Sequence, residues 1–371
     1  MRYVRVLPLL AIAPLLGACS NVTGWWQDMR DEDKGIRLEA LQAPAGHRVE
    51  VFAKDLPKAR HMALGAKGTL FVGSMDGNVY ALTLEHGRVT KQRTLLKDLK
   101  DPSGVAFKDG TLFVADRTRI LRFDGIEGRL DNPPAGVTAL DNLPDQKRHD
   151  AHAMGIGPDG KLYVSVGSPC NVCEATADAY GTIVRIPTQG NAAREIVARG
   201  IRNTVGFDWH PKTKELWFTE NGQDELGPDR PNDELNHVTK AGENFGFPYC
   251  HDRDISDPAY GTKHACSEFT PPAFGLGPHV AALGMRFEPD SGGEPSAIVA
   301  RHGSHPPQRV AYDVVRVVFE GGKPVRMEPY LTGFLQGKKY WGRPVDVLVL
   351  PDKSTLISDD LNGAIYRVFR G

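Results

Sequence analysis

Six copies of one strand-turn-strand design, a repeat period of blade length and a scarcity of helical patterning predict an all-β fold, a six-bladed β-propeller. The copies are GTLFVGSMDGNVYAL (68–82), GTLFVADRTRILRF (110–123), GKLYVSVG with GTIVRI (160–186), KELWFTENG (214–222), SAIVARHGS (296–304) and STLISDDLNGAIYRV (354–368). Their central residues, Leu70, Leu112, Leu162, Leu216, Ile298 and Leu356, stand 42, 50, 54, 82 and 58 residues apart. Spacings of this size suit four-stranded blades arranged about an axis. Each copy carries an apolar, β-rich strand, a polar tip and usually a second strand. GPDGK, HPKTKE and LPDKS precede three of the strands and read as turns joining neighbours within a blade. The long fourth step leaves room for an insertion, roughly 226–283, in the fourth to fifth blades. A β-sandwich fits less well, because its strands would not recur as pairs at so long a period.

The chain begins with Arg2 and Arg5, an apolar run from Val6 to Leu16, and LGAC ending at Cys19. This reads as a lipoprotein signal over 1–18, with lipidation at Cys19, followed by a polar tether over 19–45 and the propeller over 46–371. The run is shorter than the ~20 apolar residues of a membrane span. The expected location is therefore periplasm-facing, with the outer membrane reached through the lipid anchor alone. An ordinary secretory signal is the alternative, and both export the chain.

Export governs the reading of the other cysteines. Cys170, Cys173, Cys250 and Cys266 form an even set in an oxidising compartment, which favours the bridges Cys170–Cys173 and Cys250–Cys266. Four thiols could instead hold zinc, but the second pair lacks the CxxC spacing. A redox-active CxxC is a further alternative, although it follows a strand and no thioredoxin-like helix pattern surrounds it. With 371 residues, 40% hydrophobic and a net charge of −1, the chain can bury a sizeable core and has no basic excess that would suggest nucleic acid.

In a propeller, polar residues recurring at one point of each repeat converge on one mouth. His149 and His152 precede the third repeat's strand, Arg202 and Asn203 the fourth's, and Arg343 the sixth's. The stretch from Asn221 to Asp224 follows the fourth repeat's strand, and Arg301 to His305 follows the fifth's. A candidate base, several cations and an oxygen-rich loop suit an anionic ligand.

IRNTVGFDWHP, LWFTENGQDELGPDRPNDELN, GENFGFPYC, WGRPVDVLVLPD and DDLNGAIYR, in this order, resemble the PQQ-dependent soluble aldose/glucose and L-sorbosone dehydrogenases over about residues 45–370. That family consists of six-bladed propellers. The resemblance implies oxidation of an aldose or a sugar-derived aldehyde, with pyrroloquinoline quinone and Ca²⁺ as cofactors and an unidentified periplasmic electron acceptor. It places His149 as the general base, a role for which neutral imidazole is suited, and assigns no role to His152. It makes Arg202 and Asn203 quinone contacts, with Arg202 stabilising developing negative charge. Arg343, Arg301 and Ser304 become further cofactor contacts. The carbonyls of Gly222 and Gln223, with Asp224 nearby, become the Ca²⁺ site. Two other classes fit a propeller: a Ca²⁺-dependent lactonase or related hydrolase, and a non-catalytic lipoprotein that binds a partner.

Overall fold

The computed structural model describes residues 34–145, 148–175, 178–189, 193–288, 293–304 and 308–371. The expected signal, Cys19 and the first part of the expected tether lie outside them, as does His305. Six antiparallel four-stranded sheets, one of them extended by a short fifth strand, account for the body, and the described residues otherwise hold only short hairpins, an isolated bridge and 3-10 turns. Blade 1 runs outward through Ala59–Leu64, Thr69–Ser74, Val79–Glu85 and Arg88–Leu96. Blades 2 to 5 begin at Val105–Lys108, Met154–Ile156, Phe207–Trp209 and Ala282–Phe287 and follow the same plan. Blade 6 contains Pro344–Val349, Thr355–Asp359 and Ala364–Arg370, and its outer strand is His47–Ala53 from the other end of the chain. This pairing closes the ring by backbone hydrogen bonds.

The six repeat strands are buried along nearly their whole length, with apolar side chains at their centres, because both faces of each blade are covered. Alternate side chains of a strand point to opposite faces. Leu70 and Val72 pack with Leu356 and Ile365 of blade 6, while Phe71 packs with Val105 and Leu112 of blade 2. Equivalent layers lie between blades 2 and 3, 3 and 4, 4 and 5, and 5 and 6. All six central repeat residues are buried.

Two differences from the sequence expectation concern boundaries. The insertion lies within blade 4, between its third strand, Asn232–Val238, and its outer strand, Phe274–Pro278. Within it, Glu243–Asn244 adds a parallel strand to the outer edge of blade 3. The packed body also begins before residue 46: Ile36, Leu38, Leu41 and Ala43 pack against the core between blades 5 and 6, and Gln42 bridges Thr332. These apolar side chains gain by burial, so the chain is docked before the first strand begins. No helix among the described residues is long and apolar enough to cross a membrane.

Candidate functional site

The loops that enter the innermost strands, and the turns between second and third strands, share one face of the propeller. His149 lies in the loop that enters blade 3. Its backbone is left-handed, with φ 55°, and its Nδ1 donates to the Ser168 carbonyl at 2.8 Å. That bond leaves the lone pair on Nε2. The orienting partner is therefore a carbonyl on blade 3, whereas the adjacent Asp150 pairs with Arg117 at 3.4 Å. Gly167 permits the approach, since a Cβ there would stand 2.5 Å from the His149 Cβ. Burial, followed by the Arg202 charge, pushes the imidazole down to about 3.

Arg202 is buried and held on several edges. Its Nε donates to the Asn171 carbonyl at 2.9 Å and its Nη1 to the Asn221 carbonyl at 3.1 Å. Nη2 donates to Asn171 Oδ1 at 2.7 Å and to Asp224 Oδ2 at 2.9 Å. The Arg202 carbonyl accepts from Ser168 N at 2.7 Å, which joins the histidine and arginine supports. Below them, the Glu220 carboxylate accepts from the main-chain N–H groups of Arg202 and Asn203 and from the Thr204 hydroxyl. Burial raises Glu220 to about 7 and raises its cross-strand partner Glu234 as well.

Asn203 donates to Asn221 Oδ1 at 3.3 Å, but its own Oδ1 is buried and has no partner among the described residues. Gly222 N donates to Asp233 Oδ1 at 2.9 Å, and Asp233 also accepts from Ala282 N, tying the loop to blade 5. Gly222 is packed so closely that a Cβ would stand 2.7 Å from Pro231. Buried Gln223 accepts from Glu225 N through Oε1. No group of three or more His, Cys, Asp or Glu side chains suited to a metal occurs among the described residues. The Asp224 carboxylate is turned to Arg202.

Arg343 lies on the opposite side of the mouth. Its main-chain N donates to Asp359 at 3.0 Å, its guanidinium stands over the Tyr340 ring at 5.7 Å, and its buried Nε has no partner among the described residues. It lines a cavity of about 570 Å³ with Lys58, Met75, Asp360 and Asn362.

Arg301 does not join this group. Its guanidinium makes a two-pronged pair with Asp313 at 2.8 and 2.7 Å and donates to the Leu276 carbonyl on the outer strand of blade 4. The side chain ties blades 4 and 5 together, held by an acidic neighbour one strand away. Ser304 is likewise engaged in closing its own loop, accepting from Val310 N through Oγ and from Tyr312 OH through its carbonyl. His152 is buried between Ser165 O at 2.7 Å and Arg117 O at 2.8 Å, linking blades 3 and 2.

Several residues at this face escape a reading along the chain. Ser168 and Asn171 lie in the loop that carries the CxxC, and both cystines form as expected: Cys170–Cys173, and Cys250–Cys266 across the insertion. His302 Nε2 donates to Asp360 at 3.0 Å, and Asp360 also accepts from Arg60 at 3.0 Å. Burial, then the Arg343 charge, lowers His302 to about 4. Although burial opposes it, His302, Arg60 and Arg343 hold the Asp360 carboxylate well below the usual range. The DDLNG turn was the available sequence signal, but its partners lie on blades 5 and 1.

Fold and mouth together define a six-bladed propeller with a buried imidazole, a caged guanidinium and, at the same mouth, polar atoms without partners among the described residues. The chain belongs to the TrAA12-like family, whose model matches residues 41–334. An uncharacterized protein of Borreliella burgdorferi is 30% identical over 350 residues, covering 89% of this chain and 90% of its own. The calcium structure of a Trichoderma reesei carbohydrate-active enzyme of family AA12 matches with a TM-score of 0.80 at 20% identity, over 89% of this chain and 97% of that one. The holo form of the pyranose dehydrogenase PQQ domain from Coprinopsis cinerea matches with a TM-score of 0.76 at 18% identity, over 89% and 97%.

Proposed function

We propose that the protein is a PQQ- and Ca²⁺-dependent dehydrogenase that oxidises an aldose sugar or a sugar-derived aldehyde of the sorbosone kind. The observation that carries this reading is the shared support of His149 and Arg202 through Ser168, beside polar atoms that lack partners within the described chain. The residues fit a planar, polycarboxylate quinone. Arg343 offers a buried N–H for a carboxylate, and Asn203, whose amide oxygen is unpartnered, lies against Arg202. The carbonyls of Gly222 and Gln223 are hard oxygen donors of the kind Ca²⁺ takes. When bound, the quinone supplies the acceptor for the hydride that leaves the sugar carbon.

The chain supplies the proton chemistry and the electrostatics. His149, with its proton on Nδ1, accepts the hydroxyl proton of the substrate at Nε2 as the carbon is oxidised. Arg202 lowers the energy of negative charge that develops beside it, and its cage means that little reorganisation is needed as that charge appears. Arg343 anchors an anionic group with the directional N–H donors that lysine lacks. The electrons pass onward to a periplasmic acceptor, and export with a lipid anchor at Cys19 belongs to the same proposal.

Titration of the purified protein with PQQ, with and without Ca²⁺, followed by dye-linked oxidation of a panel of aldoses and aldehydes, tests this reading. Saturable binding and Ca²⁺-dependent dye reduction that chelation removes are expected, together with loss of turnover but retained PQQ binding in His149→Ala. Absence of PQQ binding at micromolar concentrations in folded protein with Ca²⁺ present would sink it.

A further inference from the structure

The CxxC loop does more than close a turn. Asn171, between the two bonded cysteines, supplies two of the acceptors around Arg202, its carbonyl at 2.9 Å and its Oδ1 at 2.7 Å. The same Oδ1 accepts from Asp224 N at 3.3 Å, so one side chain links the blade 3 loop, the guanidinium and the blade 4 turn. Asp224 contributes less restraint, because its side chain is 60% exposed and an exposed carboxylate holds its partner weakly. Ser168, whose carbonyl orients His149, reaches the same staple through its hydroxyl, which donates to Cys170 O at 3.3 Å.

We infer that Asn171, held in place by the Cys170–Cys173 bridge, is a positioning residue that sets the orientation of the Arg202 guanidinium. A guanidinium is planar, so acceptors on two of its edges fix both its plane and its rotation. The disulfide restrains the backbone from which both acceptors project. If the bridge opens, the carbonyl and Oδ1 of Asn171 lose their common frame and Arg202 keeps only the blade 4 acceptors. The consequence for turnover rests on the oxidoreductase reading, whereas the geometric claim stands on the ligand-free chain.

The test uses two variants, Asn171→Leu, which removes Oδ1, and Asn171→Asp, which keeps an acceptor oxygen there, together with reduction of the wild-type bridge. In ligand-free protein labelled with ¹⁵N-arginine, the Arg202 Nε–H signal, assigned by its loss in Arg202→Lys, is expected to resist exchange with water in the wild type and in Asn171→Asp. At least tenfold faster exchange is expected in Asn171→Leu and after reduction, each with the melting transition retained. In the PQQ-loaded enzyme, Asn171→Leu should lower kcat about tenfold or more with KM for the sugar within about twofold, the cost expected of a misplaced charge donor. Asn171→Asp should restore most of that loss. Unchanged exchange in both Asn171→Leu and the reduced protein overturns the positioning role, whatever the enzyme does. Faster exchange in a protein that never binds PQQ supports the role and counts against the oxidoreductase reading alone.

Discussion

His149 offers a measurement that needs no cofactor. Its imidazole is displaced from the ordinary 6.5 to about 3 by burial and by Arg202. The unfolded chain therefore binds this proton more tightly than the folded one, so His149 contributes stability above about pH 6.5 that is lost progressively as pH falls towards 3. Between pH 6.5 and 4.5 the loss is two pH units at about 1.36 kcal/mol each, about 3 kcal/mol. His149→Asn removes the titration while its amide N–H can still donate to the Ser168 carbonyl. Urea unfolding of both proteins at pH 7.5 and 4.5 should show the wild type losing about 3 kcal/mol more than the variant on acidification. The other groups titrate in both proteins and cancel in the difference. Parallel pH dependences, or an imidazole NMR midpoint near 6.5 in the ligand-free protein, would refute the reasoning. The result bears on catalysis as well. An imidazole titrating near 3 is neutral but a weak base, and a bound polyanion that offsets Arg202 should raise its midpoint towards the range in which general bases work best.

Glu220, fully buried and raised to about 7, has the opposite sign: its contribution is present below about pH 4.5 and lost as pH rises through 7. Glu220→Gln should therefore gain about 3 kcal/mol relative to the wild type between pH 4.5 and 7.5, and a flat difference in denaturant midpoints would count against this. Leu112→Ala, in the layer between blades 1 and 2, should cost about 2–5 kcal/mol by thermal or urea unfolding, whereas a cost under about 1 kcal/mol would mean that the layer can collapse around the change.

Much of the architecture is legible along the chain because a blade is a local object. Strand pairing within a blade joins residues close in sequence, and full coverage of both faces leaves the uninterrupted apolar runs around Leu70, Leu112 and their equivalents. The cysteine count is also a local reading, and the pairing it was taken to favour, of three possible, is the one that forms. The position of His149 before the third repeat was legible for the same reason.

What joins blades is decided only by the closed ring. Asn171 of the blade 3 loop reaches Arg202, at the entry to blade 4, over 31 residues. Asp360 meets His302 across 58 residues and Arg60 across 300. Arg301, placed by its repeat position at the mouth, is held between blades 4 and 5 because Asp313 on the next strand offers a two-pronged partner. The docking of residues 36–43 likewise depends on an apolar surface built by blades 5 and 6. Repeat spacing and apolar pattern arise from short-range geometry, so the sequence by itself determined the fold and the candidate base. The direction of a charged side chain follows the strongest partner within a few ångströms, and in a propeller that partner can come from any neighbouring blade. Only the tertiary structure decided which cations face the mouth and which tie its wall together.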